Sequence, residues 1–378
     1  MRDLVITIYL SFIKIIFSVF KLFPVKDKVT FLISFVDNPM YIYKMLKRKN
    51  IPYKVVFLCE GQVIHHFSKN GELCYSVKSL IGLFHLATSK QVIADNYFGI
   101  LASTEFRKNV TVTQIWHSAG AIKQFGAMDP TNGNRSDRAN YRFKKVYDRF
   151  THFAVGSDFM ADIFKLAFLA DNKKFLDSGI PRTDFFFDKG QHAEIISNLY
   201  KSNTNLINKK IILYAPTFRR YEHPDESFKL DIKKMYEALA GEYILIVKFH
   251  PKLNLNIELE DTYKNFIFNY SNYPNINDLL LITDILITDY SSIPMEYCLL
   301  NRKMIFFAYD VDEYKLDNGL WEDFETAVPG PVVKTNDELI EEIQNPEIDY
   351  SQIAEFKDKW VAYCDGNSSE KLIKDLFA

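Results

Sequence analysis

Short apolar runs alternate with amphipathic stretches along most of the chain. The runs at 29–35, 53–58, 91–94, 110–116 and 153–155 read as strands, and helices are predicted near 40–48, 79–88 and 158–168. Parallel strands need long crossovers, so this alternation predicts an α/β fold built on a parallel sheet. A charged, turn-rich stretch at 188–210 reads as a connection. The pattern then restarts, with strands at 210–214, 243–249, 266–269, 285–288 and 304–307 and helices at 277–282, 294–300 and 337–344. Residues 351–377 read as one or two helices whose docking periodicity does not fix. No internal repeat or low-complexity tract is visible. The expected architecture is two Rossmann-like lobes, 25–190 and 191–350, with a C-terminal helical segment at 351–378. Ligands of such sheets sit beyond the carboxyl ends of the strands, so strand-following residues carry most weight.

Residues 4–23 break the pattern. They are apolar except for Thr7, Ser11, Lys14, Ser18 and Lys21, which fall on one narrow helical stripe before Pro24 stops the helix. The length just suffices to span a bilayer, but two lysines on one stripe are costly there. A helix lying in the membrane plane over residues 1–24 resolves this, with Lys14 and Lys21 reaching headgroups and the apolar arc entering lipid. A signal peptide fits less well, because Lys14 interrupts the apolar core and no small-residue cleavage site follows. The plainer alternative is a helix packed on the domain. Arg135, Arg138, Arg142, Lys145 and Arg149 form a second stripe at helical spacing. Most such runs are solvated faces, but Arg138 and Arg142 are candidates for contact with anionic lipid or a lipid pyrophosphate.

Composition narrows the classes. A chain of 378 residues with 48% hydrophobic content supports two cores, and a net charge of -2 leaves no basic field for nucleic acid. Four cysteines without paired spacing argue against disulfides or zinc and for a reducing cytoplasmic setting. No cofactor is marked by a motif. No acidic pair forms a dedicated Mg2+ site, and the sequence is compatible with metal-assisted as well as metal-free chemistry.

The candidate chemistry lies at strand ends. His117 follows the run at 110–116, where an imidazole can take a proton from an attacking hydroxyl at neutral pH; Ser118 and Gly120 leave room for close backbone approach. Asp95 and Asn96 follow the run at 91–94 and are candidates for contacting acceptor hydroxyls, with Asp95 a second choice as base. Lys248 and His250 end another strand on one face, suited to phosphate. Two histidines at strand ends of two lobes suggest one shared site. The stretch Thr288-Asp289-Tyr290-Ser291-Ser292 leads from a strand into a helix start at Pro294, a phosphate-binding arrangement, with Glu296 placed to accept from ribose hydroxyls. Arg219 and Arg182 offer guanidinium groups for phosphate oxygens.

Taken together, Trp116-His117, Gly179-Ile180-Pro181-Arg182, Ala215-Pro216-Thr217-Phe218-Arg219, Lys248-Phe249-His250-Pro251, Thr288-Asp289-Tyr290-Ser291-Ser292 and Asp365-Gly366-Asn367-Ser368 resemble the CDP-glycerol glycerophosphotransferases of Gram-positive teichoic acid synthesis. The resemblance implies a GT-B-type fold, two histidines lining the active site and phosphate contacts from the Asp-Tyr-Ser-Ser segment. Carried over, these roles fall on His117, His250, Ser291 and Ser292. The run from Trp116 to Lys123 is similar to the priming enzymes of the TagB/TarB type. It implies transfer of one glycerol phosphate from CDP-glycerol to the ManNAc-GlcNAc-diphosphoundecaprenol linkage lipid, with release of CMP, at the cytoplasmic membrane face. Other teichoic acid enzymes are candidate partners. The alternatives are a poly(glycerol phosphate) or ribitol-phosphate polymerase, a sugar transferase of similar fold, and a non-catalytic scaffold for wall-polymer assembly.

Overall fold

The structure, a computed structural model, describes residues 2–217, 219, 228–249 and 261–377. The chain forms two compact units, one of Met1–Gly120, Gln124–Phe187 and Lys359–Ala378, the other of Ala121–Lys123 and Asp188–Asp358. The first carries a seven-stranded sheet of β1 (Lys26–Ile33), β2 (Lys54–Cys59), β3 (Cys74–Ser76), β4 (Ser89–Ala94), β5 (Thr111–Gln114), β6 (His152–Ala154) and β7 (Lys174–Leu176), in the order β3-β2-β1-β4-β5-β6-β7. The second carries β8 (Lys210–Tyr214), β9 (Tyr243–Val247), β10 (Ile267–Asn269), β11 (Ile285–Thr288), β12 (Lys303–Phe307) and β13 (Val332–Val333), in the order β10-β9-β8-β11-β12-β13. The strand pairs are parallel. This is the two-lobed α/β architecture of GT-B-type transferases.

Strands β8 to β13 take the places in their sheet that β1 to β6 take in theirs. The duplication is structural and leaves no repeat in the sequence. In each sheet the chain order reverses between the first and fourth strands, β1 and β4 or β8 and β11, where ligands of such folds gather. Residues of β1 from Lys28 to Ile33 are all buried, as expected for a central strand covered on both faces.

All ten strands expected from the sequence are present. Among the described residues, the strands it missed, β3, β7 and β13, are edge strands of two or three residues. The stretch at 188–210, read as a connection, instead contains helix Lys189–Ser202, capped by Asp188 through the Gln191 amide (3.2 Å). Only Leu199 of that helix is buried, so no apolar stripe announces it.

The N-terminal helix Arg2–Phe20 has three faces. Ile13 and Phe17 are buried, with Phe17 edge-on to Phe106 (5.4 Å) and Phe20 edge-on to Phe84 (5.4 Å). Thr7, Ser11, Lys14 and Ser18 form a solvated stripe beside that seam. The remaining arc exposes Leu4, Ile8, Phe12, Ile15 and Val19, with Ile8 and Ile15 exposed by 62% and 65%. The stretch Asp3–Phe20 is long and apolar enough to cross a membrane by length and composition. Its start is tied down by Asp3, which takes an ion pair from Arg142 (2.6 Å) and a hydrogen bond from Ser136 Oγ (2.7 Å).

The C-terminal helices Tyr350–Val361 and Ser368–Phe377 are separated by a tight joint. The Asp184 carboxylate accepts from the amides of Ser368 (2.8 Å) and Ser369 (2.9 Å), capping the last helix. Gly179 sits at φ +76°, where an added Cβ would meet Ser368 Oγ and stand 2.7 Å from Tyr363 O. Two of the sequence motifs, Gly179–Arg182 and Asp365–Ser368, thus meet in one structural joint. Gly179→Ala is expected to destabilise the protein by about 1–2 kcal/mol from backbone conformation alone, and by more from the clash. Denaturant unfolding checks this; an unchanged midpoint would mean the joint does not hold the helix.

Candidate active site

The strand-following residues of the first unit converge around one histidine. His117 lies just beyond β5, half-buried, with Nδ1 3.3 Å from the carbonyl oxygen of Asp95. Its ring stacks on Phe35 (centroids 5.0 Å, 29°) and lies 4.3 Å from the Trp116 ring. Trp116 adopts φ +56°, a left-handed conformation that costs a bulky residue roughly 1–3 kcal/mol. The neighbours enforce it. Gln114 Oε1 accepts the Trp116 N–H (2.9 Å), and Asn38 Nδ2 donates to the carbonyls of Ile115 (2.8 Å) and Trp116 (3.0 Å). Asn38 Oδ1 in turn accepts the Arg182 amide (2.9 Å), while Arg182 Nη1 donates to His117 O (2.8 Å). Ser118 Oγ donates to Gly120 O (2.7 Å) and closes the turn. Strain outside helix and strand, over-determined by side chains, marks this loop as built to present the imidazole.

Asp95 does not present itself for contact with an acceptor. It is fully buried, and both carboxylate oxygens accept backbone amides, from Ser34 (2.9 and 3.0 Å) and Phe35 (2.9 Å). Burial pushes its pKa up to about 7 against the pull of those amide bonds. Asn96 is half-buried beside it and accepts Gln114 Nε2 on its carbonyl (3.2 Å). Asp95, Asn96, His117, Ser118, Gly120 and Arg182 are therefore neighbours, as the strand-end argument expects, but Arg182 and Asp95 are spent on holding loops.

In the second unit the expected phosphate ligands are largely occupied by protein. Arg219 is 2% exposed. It donates to Asp310 through Nε (2.7 Å) and Nη2 (2.9 Å), and through Nη1 to Asp289 (2.6 Å) and Thr217 O (2.7 Å). Burial opposes its charge, but the bonds to Asp310 and the charge of Asp289 outweigh it and hold the pKa above the ordinary value. Tyr290 donates to Asp310 (3.0 Å) and stacks on Tyr314 (3.8 Å). Asp289 also accepts the Thr217 amide (2.9 and 3.1 Å), and Thr288 Oγ1 donates to Ala215 O (2.7 Å). Lys248 donates to the carbonyls of Ser271 (3.0 Å) and Tyr273 (2.8 Å), and burial lowers its pKa. Arg219, Lys248, Thr288 and Asp289, expected as phosphate ligands, are here engaged by protein groups that compensate the buried charges. Glu296 is 3% exposed, which disfavours a ribose contact. Ser291 and Ser292 remain half-exposed. His250 lies outside the described residues.

Sequence reasoning missed Asn38, Phe35 and Asp310. Each follows a strand, β1 or β12, within a few residues, which was the available signal; none sits in a motif that announces chemistry. Among the described residues, no group of three or more His, Cys, Asp or Glu side chains is arranged to hold a metal ion.

Removing Arg219 leaves two buried carboxylates uncompensated, so Arg219→Ala is expected to cost about 3–5 kcal/mol of stability. Chemical denaturation measures it. Unchanged stability with a raised KM for CDP-glycerol would restore the phosphate-binding role.

Residues 15–378 match the family model described as CDP-Glycerol:Poly(glycerophosphate) glycerophosphotransferase. The chain is 35% identical to the teichoic acid glycerol-phosphate primase of Bacillus subtilis strain 168, over 98% of this chain and 97% of that protein. It is 31% identical to a teichoic acid poly(glycerol phosphate) polymerase of Bacillus spizizenii, over 99% of this chain and 97% of that protein. Its fold matches that of the wall teichoic acid polymerase TagF, solved as a histidine-to-asparagine variant soaked with CDPG, with a TM-score of 0.81 at 22% identity over 99% of this chain and 97% of that one. The chain belongs to the CDP-glycerol:poly(glycerophosphate) glycerophosphotransferase family and is a glycerophosphotransferase of teichoic acid synthesis.

Proposed function

We propose that this chain uses CDP-glycerol as donor and a membrane-bound, undecaprenyl-diphosphate-linked acceptor, with His117 as general base. An acceptor hydroxyl attacks the glycerol-bearing phosphorus. A new O–P bond forms, the bond to the CMP phosphate oxygen breaks, and the hydroxyl proton passes to the His117 imidazole. The observation that carries this reading is the His117 loop, held by Asn38, Gln114 and Arg182 at the carboxyl edge of β5. Ser291 and Ser292, half-exposed beyond β11, are the remaining candidates for holding the diphosphate, together with His250 on the strength of its sequence position.

Two readings of the acceptor have support. Successive addition is favoured by the matching family's description and by the similarity to TagF and to a poly(glycerol phosphate) polymerase. Single addition to the linkage disaccharide is favoured by the 35% identity to a primase along the whole chain and by the run from Trp116 to Lys123. Ribitol phosphate as the transferred unit is a variant of the first. The deciding experiment supplies purified protein with CDP-glycerol and a short-chain linkage-disaccharide diphospholipid, then records CMP and product mass. One added unit supports priming and a ladder supports polymerisation; no acceptor-dependent CMP would sink both.

The exposed arc of helix Arg2–Phe20 suits the cytoplasmic leaflet, with Lys14 and Lys21 at the headgroups. The double variant Ile8→Asp, Ile15→Asp is expected to lose co-sedimentation with anionic vesicles while keeping its melting temperature, because both side chains are exposed. Retained binding would move the membrane contact elsewhere. Arg138 is exposed and its reversal to Glu tests the basic stripe cleanly, whereas Arg142 also holds Asp3.

A further inference from the structure

We infer that Asp95 is the positioning residue for His117, fixing both its tautomer and its ring plane; the inference rests on the reading of His117 as base. The first route is the main chain. A carbonyl oxygen carries no proton, so a hydrogen bond across the 3.3 Å contact between Asp95 O and His117 Nδ1 places the hydrogen on Nδ1. That places the lone pair on Nε2, the nitrogen that then accepts the hydroxyl proton.

The second route is the side chain. The buried carboxylate clamps the Ser34 and Phe35 amides, and the Phe35 ring lies flat against the imidazole at 5.0 Å. One residue therefore controls the edge of the ring through its carbonyl and the face through its carboxylate. Trp116 packs against the imidazole as well, and Arg182 Nη1 holds His117 O. Among the described residues, charged groups near this assembly include Glu60, which accepts from Ser34 Oγ (3.3 Å), and Asp37, 3.7 Å from Arg182 Nη1.

The second unit repeats the carboxylate clamp. Asp289 is the first residue after β11 as Asp95 is after β4, and it clamps the Thr217 amide after β8 as Asp95 clamps Ser34 after β1. Its side-chain partner is Arg219. The clamp is thus common to both sheets, and among the described residues the imidazole contact is found in the first unit.

Full-length wild type, Asp95→Asn, Phe35→Leu and the double variant are compared by CMP release at saturating acceptor and by the ring-nitrogen chemical shifts of histidine-labelled protein, assigned with His117→Gln. Each single variant is expected to lower kcat about tenfold or more with KM for CDP-glycerol held within about twofold. The double variant should lose little more than the worse single one, since both act through the same ring. Wild-type His117 should be the Nδ1–H tautomer and become mixed in the variants. Phe35 is 45% exposed, so Phe35→Leu keeps the question answerable if Asp95→Asn folds poorly. A wild-type His117 protonated on Nε2 overturns the positioning role, as does Phe35→Leu with unchanged kcat and spectrum. Near-wild-type kcat in His117→Ala removes the base assignment beneath it. An inactive His117→Ala alongside unaltered spectra in both clamp variants sinks only the role of Asp95.

Discussion

A carboxylate buried at the reversal point of each parallel sheet holds the loop leaving the first strand, and the rest of the site is arranged around that attachment. Asp95 and Asp289 are 0% and 1% exposed, and each accepts backbone amides from the neighbouring loop. A loop at this edge has amide hydrogens with no ladder to join, and an unpaired buried amide is costly. A carboxylate offers enough lone pairs to take several at once. Its own desolvation is the cost, visible in the raised pKa of Asp95 and, in the second unit, offset by the guanidinium of Arg219.

The same requirement explains the protein partners that charged residues in chemically suggestive motifs take up. Arg219 bridges two carboxylates, and Lys248 satisfies two carbonyls beyond β10. Lys303 and Arg302 do likewise at helix ends, Lys303 on Glu342 O (2.6 Å) and Arg302 on Thr283 O (2.6 Å). Cations beside buried strands are drawn to backbone oxygens that water cannot reach. Among the described motif residues, His117, Ser291 and Ser292 keep partial exposure.

The N-terminal helix answers a different constraint. A single packing seam uses only part of a helix circumference, and here Ile13 and Phe17 account for the seam. The exposed arc from Leu4 to Val19 is surplus to the core, separated from it by a narrow polar stripe. Asp3, gripped by Arg142 and Ser136, and Phe20, set against Phe84, anchor the helix at its two ends.

The sequence by itself determined the α/β class, ten of the strands, the restart of the pattern in a second lobe and the placing of His117 at a strand end. These follow from local periodicity and from turn residues, which act within a few positions of themselves. It also showed that the apolar arc at 4–23 exceeds one core seam. Only the tertiary structure decided which charges are spent internally, because Arg219 meets Asp310 across 91 residues and Asp184 meets Ser368 across 184. It alone returned the last helix to the first unit and revealed the duplicated clamp. Those outcomes depend on which unsatisfied polar groups meet when distant strand ends are brought side by side, and no local pattern encodes that meeting.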